Sequence, residues 1–264
     1  MFYSFTLFGQ EIPMYAVCMW LGVAVAAFVA CRLAKQRNNI DSFDVILSAV
    51  YTMIFAMIGA KLLYLAVSWD GVMRVIDQRG YGVTDSIWYI LNNGFVFYGG
   101  FIGGCLGLGL YIKQFHRNLF DYLTIYAVVL PLGHAFGRIG CFFGGCCYGM
   151  EYDGIFAVDF PVYPGDEGSP VVSRLPIQLF EAAGLLLIFV LLIVLYYRVP
   201  KKPTLPLWTY LVVYPILRFI LEFFRGDEAR GGFLFFSTSQ WISLGILAVA
   251  GTAFYLTQVK KKAE

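Results

Sequence analysis

IQLFEAAGLLLIFVLLIVLYY, residues 177–197, holds one charged side chain, Glu181, in an otherwise apolar run. A helix needs about 20 apolar residues to cross the hydrocarbon of a bilayer, so this stretch reads as a membrane span. On either side of it six more stretches qualify: Met14–Leu33, Val45–Val67, Phe95–Ile112, Tyr122–Phe143, Leu207–Phe224 and Gln240–Leu256. The expected fold is all-α, a polytopic membrane protein with seven transmembrane helices. Composition agrees. Of 264 residues 59% are hydrophobic and 14% charged, with a mean hydropathy of +0.71, far from an ordinary soluble domain. Met1–Pro13 lacks a basic start and contains Gln10 and Glu11, so no cleavable signal is expected.

The net charge of +2 says little, and no nucleic-acid partner is expected. Placement says more. Arg32, Lys35, Arg37, Lys113, Arg117, Arg198, Lys201, Lys202 and Lys260–Lys262 gather on one side of the spans. Only Arg74, Arg79, Arg174, Arg225 and Arg230 fall on the other. The excess of Lys and Arg in cytoplasmic loops then puts the N-terminus outside and the C-terminus in the cytoplasm. The longer connections, at about 68–93, 148–176 and 225–239, face out. No repeat or composition shift marks a second domain, so residues 1–264 read as a single integral membrane domain.

Charges inside the spans are the informative ones. Lys61, Arg138, Glu181, Arg218 and Glu222 lie in or at the edges of apolar segments, each costing about 2.5–3.5 kcal/mol at the centre of an inserting helix. Internal ion pairing is one explanation, since Arg218 and Glu222 are four apart on one helix. A cavity for an anionic headgroup is the other. Three cations face two anions, Arg225 extends the Arg218–Glu222 face, and arginine forks suit phosphate.

GRIGCFFGGCCYG, residues 137–149, closes the fourth span with an arginine, three cysteines and five glycines. In a continuing helix His134, Arg138, Cys141 and Gly145 would share a face. The glycines allow close approach of a ligand or of a neighbouring helix. Cys141, Cys146 and Cys147 form no C-x-x-C pair, and the chain has two histidines, so no metal is expected. Packing thiols, an adjacent disulfide and a covalent thiol intermediate all stay open. FGGC at 143–146 superficially resembles a lipidation box, but its place at the end of a span excludes that role. Gly99, Gly103 and Gly107, with Gly100 and Gly104 beside them, suit close packing of the third span; Gly99 and Gly100 could also open a pocket beside Tyr98. The loop at 148–176 carries Tyr152, Phe156, Phe160 and Tyr163 among prolines and five acids, including Asp166 and Glu167.

The 137–149 segment resembles the signature G-R-x-G-N-F-x-N-G-E-x-x-G of the bacterial prolipoprotein diacylglyceryl transferase family. IGAKLLY at 58–64, GFVFYGGFIGG at 94–104, RLPIQLFE at 174–181, RFILEFFRGD at 218–227 and STSQWISL at 237–244 are similar to further family motifs in the same order. The resemblance spans nearly the whole chain. It implies a multi-pass enzyme of the bacterial cytoplasmic (inner) membrane. Such an enzyme moves the diacylglyceryl group of phosphatidylglycerol to the thiol of a prolipoprotein lipobox cysteine and releases glycerol phosphate. By the same resemblance Arg138 and Arg218 hold phosphate, and Glu222 and Arg225 orient them. Gln178 and Glu181 line the cavity wall, and Lys61, Gly99, Gly100, Gly137, Gly140, Cys141 and Gly149 border the substrate. No cofactor is implied; the implied partners are phosphatidylglycerol, the lipobox of a signal peptide and membrane lipids.

The chain also departs from the pattern. Tyr98 stands where the family usually has histidine, Cys141 and Gly144 where it has asparagines, Cys146 for glutamate, Leu175 for histidine and Lys61 for arginine. Tyr98 can donate a hydrogen bond but is a weak base at neutral pH. His134 is the candidate replacement imidazole. Two alternatives to the prolipoprotein transferase follow: a related phospholipid-dependent transferase with another acceptor, and a lipid-binding or transport protein without chemistry.

Overall fold

The computed structural model describes residues 4–7, 9–38, 40–92, 94–162, 168–226, 232–233 and 235–263, without the side chains of 7, 10, 37, 38, 97, 232, 233 and 254–263. Tyr163, Pro164, Asp166, Glu167, Asp227 and Arg230 lie outside the described residues. The helices are α1 (Met14–Leu33, continued by a π-helical turn at Ala34–Asn38), α2 (Ser42–Arg79), α3 (Val83–Asn92), α4 (Phe97–Gln114), α5 (Leu119–Phe143), α6 (Ile177–Arg198), α7 (Leu205–Glu222) and α8 (Thr238–Ala263). Three antiparallel pairs join them: β1 (Ser4–Leu7) with β2 (Gln10–Pro13), β3 (Val158–Pro161) with β4 (Val171–Arg174), and β5 (Gly232–Phe233) with β6 (Phe236–Ser237).

The seven apolar stretches fall on α1, α2, α4, α5, α6, α7 and α8. Among the described residues five helices are long and apolar enough to cross a membrane: Met14–Gln36, Ser42–Arg79, Leu119–Phe143, Ile177–Arg198 and Leu205–Glu222. The fold is that of a helical membrane protein. Six glycines dilute the hydropathy of α4, and the side chains of α8 are described only to Ala253. Leu187 on α6 is 72% exposed, as a lipid-facing side chain requires.

Two expectations are corrected. The connection at 68–93 is mostly helical, because α2 continues past Asp70 to Arg79 and α3 follows. A charge marks the membrane boundary but does not break a helix. Gly80 does, with φ of 61° and its N–H on the Asp77 carbonyl. The connection at 148–176 is likewise not mere loop, since β3 and β4 pair within it, Val158 opposite Arg174.

By packing the chain divides into two compact units, Cys31–Tyr122 and Met1–Ala30 with Leu123–Glu264. In the first, α2 and α4 approach through glycines. A Cβ on Gly103 would lie 2.1 Å from the Phe55 carbonyl oxygen, and one on Gly99 2.3 Å from that of Gly59. Lys61 on α2 donates to the carbonyls of Ile90 (2.8 Å) and Gly94 (3.0 Å), with its ammonium 4.0 Å from the centroid of the Phe95 ring. A Gly103→Leu change must part the two helices, an overpacking cost of about 1–3 kcal/mol or more. We expect its melting temperature in detergent to fall by several degrees. Gly109→Leu, where no atom lies within 4 Å of the added Cβ, should melt like the parent; equal melting of both variants would refute the close-approach account.

In the second unit α5 lies on α1: a Cβ on Gly140 would meet the Cys18 Cβ at 3.2 Å, and one on Gly137 the Met19 sulfur at 3.4 Å. Ala135 of α5 and Ala182 and Leu185 of α6 form a buried cluster, covered by Ile139 and Tyr214. This cluster sets the rotation of α5, α6 and α7, and with it the direction of their charged residues.

Candidate active site

Helical spacing carries the buried face of α6 from Leu185 and Ala182 back to Glu181 and Gln178, and all four are buried. On α5 the residue one turn beyond Ala135 is Arg138; on α7 the residue one turn beyond Tyr214 is Arg218. Packing three apolar patches together therefore drives two guanidinium groups and a carboxylate into the same place.

Glu181, with a fully buried side chain, is the hub. Its Oε1 lies 3.0 Å from Nη2 of Arg138 and its Oε2 accepts from Nη1 of Arg218 at 3.2 Å. Nη2 of Arg218 reaches Glu222 Oε2 at 2.6 Å and the Ser239 hydroxyl at 3.3 Å. Ser237 Oγ donates to Glu222 Oε1 at 2.9 Å, while the Ser237 N–H donates to Gln240 Oε1 at 2.9 Å. Ser237, Ser239 and Gln240 are site residues to which sequence reasoning gave no role, although the STSQ motif contained them.

Both explanations offered for the buried charges meet here. Arg138 and Arg218 do pair with carboxylates, so ion pairing accounts for much of their burial. The pairing is incomplete, since Arg138 Nε and Gln178 Oε1 are buried without a hydrogen-bond partner. Unsatisfied buried polar atoms are rare and mark strain, catalysis or a place for a ligand.

His134 stays close without bonding. Its Nε2 is 3.8 Å from Glu181 Oε1, too long for a hydrogen bond, and its ring packs edge-on against Tyr214 at 5.5 Å. The shared face expected for His134, Arg138, Cys141 and Gly145 is corrected at its end. Helix α5 stops at Phe143, and Gly145, with φ of 63°, turns the chain instead.

Beyond that turn three backbones cross. The Gly149 N–H donates to the Leu175 carbonyl at 2.9 Å, and the Met150 N–H to that of Phe224 at 2.9 Å. Gly149 and Arg225 form a bridge. A Cβ on Gly149 would stand 2.7 Å from the Leu175 oxygen, so close chain packing, rather than ligand approach, requires this glycine. Gln178 Nε2 donates to the Cys146 carbonyl at 2.7 Å. The thiols of Cys141, Cys146 and Cys147 all lie within 4.8 Å of one another. Hydrogen bonds from Cys141 and Cys146, and then from the Arg225 guanidinium, hold the Cys147 thiol well below the usual thiol range.

Of the sequence candidates, His134, Arg138 and Arg218 meet around the Glu181 carboxylate, and Glu222 joins them through Arg218. Gln178, Cys141, Gly149 and Arg225 border them, and Gly137 and Gly140 seat α5 on α1. Lys61, Tyr98, Gly99 and Gly100 belong to the other unit. There Tyr98 is 44% exposed, Gly99 packs on Gly59, and Lys61 bonds the carbonyls already named.

A family model described as prolipoprotein diacylglyceryl transferase matches residues 3–257. The chain is 31% identical to phosphatidylglycerol–prolipoprotein diacylglyceryl transferase 2 of Clostridium perfringens, over 98% of this chain and 96% of that one. It is 32% identical to the phosphatidylglycerol–prolipoprotein diacylglyceryl transferase of Clostridium tetani, over 98% of both chains. Against the protein of that name from Campylobacter curvus it is 31% identical, over 94% of this chain and 90% of that one. With five membrane-length helices and a match along nearly its whole length, the chain belongs to the prolipoprotein diacylglyceryl transferase family.

Proposed function

We propose that this protein is a membrane transferase that moves the diacylglyceryl group of phosphatidylglycerol onto the thiol of a prolipoprotein lipobox cysteine, releasing glycerol phosphate. The observation that carries this reading is the convergence of Arg138 and Arg218 on the buried Glu181, at 3.0 and 3.2 Å, beside Arg138 Nε and Gln178 Oε1, which are buried without a hydrogen-bond partner. An anionic phosphodiester oxygen suits that open Arg138 donor. A thiolate attacks the glycerol carbon, the carbon–oxygen bond to phosphate breaks, and negative charge builds on the leaving phosphate. Arginines already fixed by carboxylates meet that charge without reorganising, which is where electrostatic catalysis is strongest. Arg138 and Arg218 are the phosphate-holding catalytic groups; Glu222 and Glu181 keep them aimed.

The chain works as one integral membrane domain of seven spans in the bacterial cytoplasmic membrane, N-terminus outside and C-terminus in the cytoplasm. The lysine and arginine bias supports that orientation. Donor lipid enters from the bilayer and the lipobox from the outer face. The family resemblance alone assigns Tyr98, Gly99, Gly100 and Lys61 a role toward substrate. Complementation tests it: a strain depleted of its own transferase should regain growth and lipidated prolipoprotein when this chain is expressed. Failure despite full membrane insertion refutes prolipoprotein as acceptor.

His134 is proposed to receive the acceptor proton. We expect His134→Gln to lower turnover about 10²-fold with little change in donor affinity, in the range of general-base losses. Unchanged turnover removes His134 from the mechanism.

A further inference from the structure

The three thiols at the end of α5 are not used by the ionic cluster. They come from two places, Cys141 on the last turn of the helix and Cys146–Cys147 beyond the chain reversal, and fold back onto one point. Two details hold them there. Cys147 has φ of 62°, a conformation that a residue with a Cβ adopts at some energetic cost. The Cys146 carbonyl is pinned by the buried amide of Gln178. None of the three is in a disulfide.

Their spacing is within reach of a metal. A tetrahedral zinc with Zn–S bonds of about 2.3 Å sets its sulfurs roughly 3.8 Å apart, so sulfurs within 4.8 Å need only a small inward movement. Three thiolates and a divalent ion sum to one negative charge, which the Arg225 guanidinium beside Cys147 offsets. Three protein ligands also leave one tetrahedral position open, the pattern of catalytic zinc.

We propose that Cys141, Cys146 and Cys147 form a three-thiolate site for zinc, whose open fourth position takes the acceptor thiol. The proposal rests on the transferase reading above and deepens it. A thiol bound to zinc gives up its proton more readily, here to the base already proposed, His134, and stays a thiolate at neutral pH. Its sulfur then attacks the glycerol carbon of the donor lipid. The carbon–sulfur bond forms, the carbon–oxygen bond to phosphate breaks, and the phosphate oxygen leaves with the electron pair. The neutral thioether is a weaker ligand than the thiolate and vacates the metal for the next thiol. No electron is gained or lost.

The test uses the full-length reduced protein in detergent, with one equivalent of Zn²⁺ or Co²⁺. Iodoacetamide labelling mapped by peptide mass should show Cys141, Cys146 and Cys147 protected together by Zn²⁺ and labelled together without it. Co²⁺ should give a thiolate charge-transfer band that is lost in Cys147→Ser and kept in Cys105→Ser. A lipobox peptide containing cysteine should shift the Co²⁺ ligand-field bands, and its serine counterpart should not. Absence of protection, or a band that survives Cys147→Ser, overturns the site. A site that binds metal but does not respond to the cysteine peptide overturns the open position. Undiminished lipid transfer by metal-free protein sinks this inference and leaves the transferase reading standing. Metal binding and peptide response without any lipidated product sink the transferase reading and leave the site standing.

Discussion

Arg218→Gln is expected to lower lipid transfer about 10²–10³-fold in protein that still inserts and folds. Arg218 is bound on both sides, to Glu181 at 3.2 Å and to Glu222 at 2.6 Å, so its guanidinium is held in place before substrate arrives. Loss of one such preorganised charge typically costs 10²–10³ in turnover. Glutamine keeps hydrogen-bonding capacity but not the charge. Arg218→Lys discriminates further. A lysine restores charge without the fork that spans two carboxylates and a phosphate oxygen, so it should recover only part of the rate. Full activity in Arg218→Gln would leave the arginine with a purely structural role.

Glu181→Gln should cost stability more than any other single change in the cluster. The side chain is fully buried and partners two arginines at once. Removing one member of a buried ion pair costs about 3–5 kcal/mol, because the remaining charge is stranded in a medium of low dielectric. Here the charge stranded is Arg138, which has no other carboxylate partner among the described residues, whereas Arg218 keeps Glu222. The expected result is a large drop in melting temperature and in yield from membranes, with part of the loss recovered in Arg138→Gln/Glu181→Gln. A single variant melting within a degree of the parent would show that the pair contributes little to the fold.

How far the sequence spoke differs from element to element. Helix α6 was plain, because an apolar run with one acid has few other uses in a chain of this hydropathy. The far end of α2 was not, since Asp70 signals the end of hydrocarbon and only Gly80 signals the end of helix. The β3–β4 pair was missed because strand pairing across Tyr148–Pro176 depends on contacts that local composition does not encode. Glu181, Arg138 and Arg218 stood out as charges in apolar spans. Which of them meet depends on how α5, α6 and α7 rotate about Ala135, Ala182 and Leu185, and no single-helix pattern contains that. The gathering of thiols was least legible. Spacings of five and one match no metal motif, and the reversal through Gly145 and the positive φ of Cys147 create the cluster only in three dimensions.

One equilibrium experiment probes most directly what the buried guanidinium groups are for. Binding of phosphatidylglycerol, in competition with a zwitterionic lipid of the same chains, is measured on folded protein with and without Arg138→Gln. Recognition of an anionic head predicts a clear preference for phosphatidylglycerol that falls at least tenfold in the variant. Equal preference in both proteins contradicts it and leaves the arginines as counter-ions of Glu181 alone.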